Sequence, residues 1–250
     1  MSLWSLIAED FRSIRERDPA AGGAWETALC YPGLHAVTIH RFSHRLWSRG
    51  WRLLPRMMSY IGRALTNIDI HPGASIGPAF FIDHGACVVI GETAEIGAGC
   101  TLYHGVTLGG VSWSPGKRHP SLADGVMIGA GAKILGPVYL GENVRVGANS
   151  VVVENVPDGC TVVGIPARIV QTEAKSHRDP LRIDLNHHLI PDPVGRSLAK
   201  LADRIGFLEA RLAAHQAKDA AEEATASKAL APNKTTQTPE NAKTRDLCHH

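Results

Sequence analysis

Residues 88–110 read VVIGETAEIGAGCTLYHGVTLGG, and an aliphatic side chain returns at every sixth position from Ile90 onward. A period of six fits neither an α-helix, with ~3.6 residues per turn, nor a simple strand, with a period of ~2. It does fit a short strand followed by a tight corner, where glycine eases the turn. Three such units would make one triangular coil, and successive coils would stack through backbone hydrogen bonds. The stretch therefore predicts a β-solenoid.

The same period extends to both sides of this stretch. The aliphatic residues that open the units are Ile70, Ile76, Ile82, Ile90, Ile96, Leu102, Leu108, Ile128, Ile134, Leu140, Val146 and Val152. An ordinary β-sandwich would carry this spacing only by coincidence, and the number of openers argues against that alternative. We therefore predict a solenoid over residues 69–170.

The period breaks at two places. Between Ile82 and Ile90 the step is two residues too long, so the chain should bulge beside Asp83 and His84. The second break contains residues 111–125, VSWSPGKRHPSLADG, which we predict to be an extruded polar loop. Because the coils need no such insertion, a charged excursion of this kind is typical of a functional loop.

Helical patterns flank the repeat and make the fold class α+β. Residues 1–68 carry apolar residues at helical spacing and predict a helical N-terminal domain. Residues 171–219 are expected to be a linker followed by an amphipathic or coiled-coil helix, because leucines and isoleucine alternate three and four apart between positions 198 and 212. Residues 220–250 have almost nothing to bury and are predicted to be disordered.

The composition excludes several classes of protein. Among 250 residues, 26 basic against 24 acidic side chains leave a net charge of +2, which argues against a nucleic-acid-binding protein. No apolar run approaches the ~18 residues of a membrane span. The N-terminal stretch lacks a basic region and contains Glu9 and Asp10, unlike a secretory signal. Five widely spaced cysteines fit neither a disulfide framework nor a zinc knuckle, so we expect a cytoplasmic protein.

Two histidines beside the first break indicate the chemistry. Once the bulge is allowed for, His84 and His104 lie three units apart, so they should stack on neighbouring coils. An imidazole can remove a proton from a hydroxyl when a carboxylate orients it, and Asp69 and Asp83 are the nearest carboxylates along the chain. Stacked histidines could instead bind zinc, with a third from another subunit, in an enzyme resembling the gamma-class carbonic anhydrases. Position alone leaves base and ligand open.

Six segments carry a more specific pattern. They are YPGLHAVTIHRFSHRLW from Tyr31, NIDIHPGASIG from Asn67, FIDHGACVVIGETAEIG from Phe81, YHGVTLGG from Tyr103, GKRHPSLADGVMIGAGAKILG from Gly116 and VVGIPARIV from Val162. Together they resemble the serine O-acetyltransferases of cysteine biosynthesis, in a form with a short N-terminal region, over roughly residues 10–170. Other hexapeptide-repeat acyltransferases share the Ile-Gly repeat, but the elements DIHP, DHG and RHP in this order point to the serine enzyme.

The resemblance implies a fold and an assembly. The fold would be a left-handed parallel β-helix, a handedness that the pattern itself does not predict, since β-crossovers are right-handed in ~98% of cases. The assembly would be a homotrimer with active sites between subunits, and the short region before the match favours a trimer over a hexamer. The family's tail typically ends in an isoleucine that binds O-acetylserine sulfhydrylase. This sequence ends Asp-Leu-Cys-His-His and has no such isoleucine, which puts that complex in doubt.

The resemblance also implies a reaction. His84 would act as general base on the hydroxyl of L-serine, and Asp69 would orient it. The serine oxygen would attack the thioester of acetyl-CoA, giving O-acetylserine and CoA, the first step of cysteine biosynthesis. Acetyl-CoA would be a co-substrate, with no permanently bound cofactor and no metal. L-cysteine would act as a feedback inhibitor at the serine site.

Further residues would bind the two substrates. Asp18 and Asp83 would receive the serine ammonium, while Arg118 and His119 would hold its carboxylate, as suits a zwitterion. The residues expected to contact CoA are Gly110, Ala130, Lys133, Ala148 and Arg168. Acetyl transfer to a sugar or antibiotic hydroxyl would keep the base but would not need both groups of serine ligands. A non-enzymatic scaffold would leave the Arg118–His119 loop without a purpose.

Overall fold

A computed structural model describes residues 1–172 and 193–229. The chain divides into two compact units, residues 1–191 and residues 192–250. The first unit contains four helices followed by a β-solenoid, and the second contains a long helix. The helices are α1 (Leu3–Arg17), α2 (Ala24–Cys30), α3 (Pro32–Trp47), α4 (Leu53–Thr66) and α5 (Pro193–Ala229).

The solenoid is a parallel β-helix with three faces, as predicted. Strands β1, β4, β7, β10 and β13 form sheet A, β2, β5, β8 and β11 form sheet B, and β3, β6, β9, β12, β14 and β15 form sheet C. Their bounds are β1 Ile68–Ile70, β2 Ser75–Ile76, β3 Phe81–Ile82, β4 Val88–Ile90, β5 Glu95–Ile96, β6 Thr101–Leu102, β7 Thr107–Gly109, β8 Ser121–Leu122, β9 Met127–Ile128, β10 Lys133–Leu135, β11 Tyr139–Leu140, β12 Arg145–Val146, β13 Val151–Val152, β14 Cys160–Gly164 and β15 Ala167–Thr172. Only β14 and β15 pair in antiparallel fashion among these strands.

The predicted openers stack in register and form the core. In sheet A the column runs through Ile70, Ile90, Leu108, Ile134 and Val152, which are between 0% and 4% exposed. Each coil therefore seals the apolar face of its neighbours, which no single coil could bury alone.

The extruded loop is shorter than the predicted residues 111–125. Ser121–Leu122 form strand β8, which pairs with β5 and β11, and Leu122 is 4% exposed. The excursion therefore covers residues 110–120. Leu122 lies six positions before Ile128 and is an opener that the prediction missed, because alanine follows it where many other units have glycine.

A buried ion pair attaches the N-terminal helices to the first coil. Arg41 of α3 donates to both carboxylate oxygens of Asp10 on α1, at 3.1 and 3.0 Å, and the two side chains are 5% and 2% exposed. Asp10 also accepts from the amide of Phe80 at 3.1 Å, and Arg41 donates to the carbonyl of Gly77 at 2.6 Å. Because both charges are buried, removing either partner would leave the other uncompensated.

The second unit consists, in its described residues, of one long helix. Helix α5 continues to Ala229, ten residues beyond the predicted boundary at position 219. Its last turns are rich in alanine, glutamate and lysine, which favour a helix even with little to bury. The remainder of the predicted disordered tail, and most of the predicted linker, lie outside the described residues. Within the described residues, no helix is long and apolar enough to cross a membrane.

Candidate active site

Two corners of the β-helix carry the predicted site residues. We call the turn between sheets C and A the histidine corner, because His84 follows β3 there. In register with it lie His104, Ala130 and Ala148, each two residues after the end of β6, β9 or β12, and Gly164, the last residue of β14, two residues after Val162. The rings of His84 and His104 have centroids 5.9 Å apart in an edge-to-face arrangement, so the predicted stacking is confirmed.

The histidine corner presents a base beside carboxylates. The side chain of His84 is 72% exposed, and its Nε2 lies 3.9 Å from Oδ1 of Asp83. Asp83 is half-buried, and burial raises the pKa of its carboxyl, while His84 opposes that rise and Asp18 adds to it. Asp18 lies in the turn that follows α1, so the helical domain contributes a second carboxylate to this corner.

The Asp18 carboxylate is held on both oxygens. The phenol of Tyr31 donates to Oδ2 at 2.6 Å, and the amide of Ala20 donates to Oδ1 at 2.8 Å. Burial, followed by the hydrogen bond to Asp18, raises the pKa of Tyr31 to about 12, so the phenol stays protonated at neutral pH. The phenol of Tyr103 also lies near this group, and burial and the charge of Asp83 raise its pKa.

We call the turn between sheets A and B, with the extruded loop packed on it, the arginine corner. Arg118 forms a close ion pair with Glu92, and His119, near the end of the loop, is 8% exposed. Glu92, Gly110, Arg118 and His119, together with Ser112, Trp113 and Pro115, line an open cavity of about 430 Å³. A cation at the edge of a cavity suits the binding of a carboxylate.

The conformation of His119 is set by Thr93. The amide of Thr93 donates to Nδ1 of His119 at 3.2 Å, so the neutral ring carries its proton on Nε2. The hydroxyl oxygen of Thr93 in turn accepts from the amides of Arg118 and His119, at 3.1 and 3.2 Å. Burial and the nearby charge of Arg118 lower the pKa of His119, which keeps the ring a neutral donor.

Three further predicted residues lie on strands, Asp69 and Lys133 in sheet A and Arg168 in sheet C. Asp69 is half-buried on β1, and its Oδ2 accepts from Arg63 at 3.3 Å, whereas the carboxylate within 4 Å of His84 among the described residues is that of Asp83. Lys133 on β10 shares the outward column of Asp69 and donates to the carbonyl of Gly105. Arg168 on β15 is exposed, with Nη1 3.8 Å from Glu154.

The structure therefore separates the predicted site into two halves. Asp18, Asp83 and His84 meet at the histidine corner, whereas Arg118 and His119 meet at the arginine corner. Strand β4, which begins after the first corner and ends at the second, lies between them. Sequence reasoning missed Tyr31, Glu92 and Thr93, and the only available signal was their place in the segments YPG and IGET.

Among the described residues, no group of three histidine, cysteine or acidic side chains is arranged to hold a metal ion. His84 and His104 have their rings edge to face, and the carboxylate beside them belongs to Asp83.

The chain is similar to known proteins over most of its length. A family model described as bacterial transferase hexapeptide (six repeats) matches residues 119–153. The serine acetyltransferase of Synechococcus elongatus is 50% identical over 211 residues, which cover 84% of each chain. The chain belongs to the serine acetyltransferase family. It is therefore an acyltransferase, as the resemblance predicted.

Solved serine acetyltransferases share the fold. The soybean enzyme complexed with serine is 46% identical, with a TM-score of 0.66, and the match covers 68% of this chain and 70% of that one. A serine acetyltransferase in complex with cysteine is 40% identical, with a TM-score of 0.66 over 68% and 70% of the two chains. The predicted arrangement of helical domain and β-helix is thus confirmed.

Proposed function

We propose that the protein transfers the acetyl group of acetyl-CoA to the hydroxyl of L-serine, with His84 as general base. The observation that carries this proposal is the position of His84, an exposed imidazole flanked by Asp83 and His104 at a corner of the β-helix. Nε2 of His84 takes the proton of the serine hydroxyl while the serine oxygen attacks the thioester carbonyl carbon of acetyl-CoA. The C–S bond then breaks, and the CoA thiolate takes the proton from the imidazolium.

The two corners suit the two ends of serine. Asp18 and Asp83 receive the ammonium group at the histidine corner, and Arg118 with His119 receives the carboxylate. Asp69 orients His84 after exchanging its contact with Arg63. Cysteine presents the same ammonium and carboxylate groups with a thiol in place of the hydroxyl, so it competes for this site as a feedback inhibitor.

CoA extends along the column that begins at His84. Ala130, Ala148 and Gly164 continue this column on successive coils, and methyl groups or no side chain at these positions let the pantetheine arm approach the backbone. Gly110, Lys133 and Arg168 complete the proposed CoA contacts. The described cysteines are free, and Cys100 and Cys160 are buried thiols, which fits a reducing, cytoplasmic location.

A homotrimer completes the site. Serine is too small to bridge two corners that a whole strand separates within one chain, so the histidine corner of one subunit faces the arginine corner of its neighbour. Cyclic symmetry then gives three equivalent sites, each built from two chains.

Complementation between variants tests this arrangement. His84→Ala and Arg118→Ala are co-expressed, and CoA release is followed with a thiol reagent at low serine concentration. In a random one-to-one mixture roughly a quarter of all sites, about one in each mixed trimer, would combine two intact corners, so activity should return to about a quarter of the wild-type value. Each variant alone is the control. No recovery in verified mixed trimers would place the whole site within one chain.

A panel of sugar acceptors distinguishes serine acetylation from the alternative function, acetyl transfer to a sugar hydroxyl. Wild-type protein stripped of metal should release CoA with L-serine and not with sugars. Release with a sugar alone would leave the fold and the base intact but overturn the acceptor.

A further inference from the structure

Tyr31 occupies an unusual position at the junction of the two parts of the first unit. It precedes α3, and its carbonyl accepts from the amides of Leu34 and His35, at 3.1 and 3.3 Å, as the helix begins. Its ring packs with Phe11 against the buried cluster of Ile14, Leu34 and Phe81. Phe81 belongs to β3, the strand that leads directly to Asp83 and His84. The ring of Tyr31 therefore has a fixed place beside the histidine corner.

The next two residues hold this junction together. Pro32 is the first residue of α3, where its missing amide hydrogen costs nothing. Gly33 lies so close to β3 that a side chain would collide with the carbonyl oxygen of Ile82. Because that oxygen belongs to backbone, the neighbour cannot move away cheaply. The segment Tyr31–Gly33 thus brings the start of α3 into direct contact with the strand preceding the site.

From this place the phenol reaches Asp18. The 2.6 Å hydrogen bond to Oδ2 and the amide of Ala20 on Oδ1 leave the carboxylate little freedom to turn. Each carboxylate oxygen has a further lone pair, so Asp18 can still accept from a ligand. Asp18 is close enough to Asp83 for its negative charge to add to the rise that burial causes in the pKa of the Asp83 carboxyl, so the two carboxylates belong to the same corner.

We propose that Tyr31 is a positioning residue that holds Asp18 opposite Asp83, so that the two carboxylates select an acceptor carrying an ammonium group. Like charges repel, and without an anchor Asp18 would turn away toward solvent in the empty site. The phenol stabilises the arrangement that the ammonium needs before it binds. This inference rests on the proposed function, because it assigns the selectivity of the same acceptor site.

Tyr31→Phe removes the hydroxyl and keeps the ring that packs on Phe11. A hydrogen bond to a charged group contributes about 1.5–3 kcal/mol, so the KM for serine should rise about 13- to 160-fold. The kcat and the KM for acetyl-CoA should stay within about twofold of wild type. Cysteine inhibition should weaken by the same factor as serine binding. The matched control is Tyr139→Phe, an exposed tyrosine on sheet B, which should change none of these values.

A double variant distinguishes positioning from general support of the fold. Since Tyr31 acts through Asp18, adding Tyr31→Phe to Asp18→Asn should raise the KM for serine little further. Independent, multiplicative effects would overturn the proposal, as would an unchanged KM in Tyr31→Phe. Wild-type protein that fails to acetylate serine would instead refute the proposed function, so the two failures are separable.

Discussion

His84 adopts a left-handed backbone conformation, with φ of 59°, and Cys87 does the same with φ of 60°. Such values are uncommon for residues other than glycine, although asparagine, aspartate and histidine adopt them more often than most, and they tend to occur where function fixes the backbone. Gly85 between them has φ of 71°. These turns accommodate the two extra residues of the corner and project the imidazole outward, where an acceptor can approach it.

Replacing His84 with alanine tests the proposed base directly. His84→Ala should lower kcat by about 10² to 10⁴, the usual loss for a general base. The side chain is exposed, so the thermal midpoint should stay close to that of wild type. CoA release and differential scanning calorimetry measure the two quantities. The control is His215→Ala on the exposed surface of α5, and near-normal turnover in His84→Ala would exclude the residue from the role.

The residues of the site differ in how well the sequence predicts them. Stacking of His84 on His104 follows from the period alone, since equal positions on successive coils meet. The hydrogen bond from Tyr31 to Asp18 does not, because it joins two side chains across a turn and a short helix without any repeat. The ion pair of Arg118 with Glu92 depends on how the loop folds back, which no local pattern encodes.

At the scale of elements, the coils approach one another so closely that some corners exclude a side chain. A Cβ atom built on Gly77 would lie 2.6 Å from the carbonyl carbon of Gly97 on the next coil. Gly97 is itself tightly packed against Ala123 and Asp124. The glycine after an opener is therefore needed for close packing between coils as well as for the turn that the sequence predicted.

Gly77→Ala should accordingly destabilise the β-helix. The obstacle is backbone, so the coils must separate locally, and overpacking of this kind costs about 1–3 kcal/mol. Chemical denaturation measures the change in the free energy of unfolding. Gly23→Ala is the matched control, since nothing lies within 4 Å of the added carbon there. Equal stabilities of the two variants would contradict close packing at this corner.

The loop boundary shows where a periodic pattern stops being informative. The prediction placed residues 121–125 in the excursion, yet Leu122 fills the core as any opener does. After an insertion the sequence does not say at which residue the six-residue repeat resumes. Pro120 and Ala123, which flank β8, are residue types that are common in loops as well as at the corners of the coils. The burial of Leu122 in the core, which the six-residue period alone does not show, assigns residues 121–122 to the β-helix.

Over the first unit as a whole, partly buried histidines couple stability to pH. Burial lowers the pKa of His71 to about 4, and it also lowers the pKa of His40 and of His119. Between that value and the ordinary 6.5, the unfolded chain binds more protons than the folded one. The free energy of unfolding therefore falls as the pH drops through this window.

The thermal midpoint should consequently decrease from pH 7 to pH 5. His71→Gln removes one of the contributing groups, so its midpoint should depend less steeply on pH than that of wild type. His215→Gln, in the second unit, should leave the slope unchanged. Parallel pH curves for wild type and His71→Gln would show that His71 titrates alike in the folded and unfolded chains.

The register of sheet C has a consequence for the length of a ligand. From His84 to Gly164 the column rises by four strand spacings, which is about 19 Å at ~4.8 Å each. The distance along the column therefore changes only in whole strand spacings, because backbone hydrogen bonds and not side chains set the spacing between coils. Inserting one complete coil between His104 and Ala130 would lengthen the distance from His84 to Gly164 by one strand spacing, ~4.8 Å. A pantetheine arm that previously reached His84 would then be too short by the same distance.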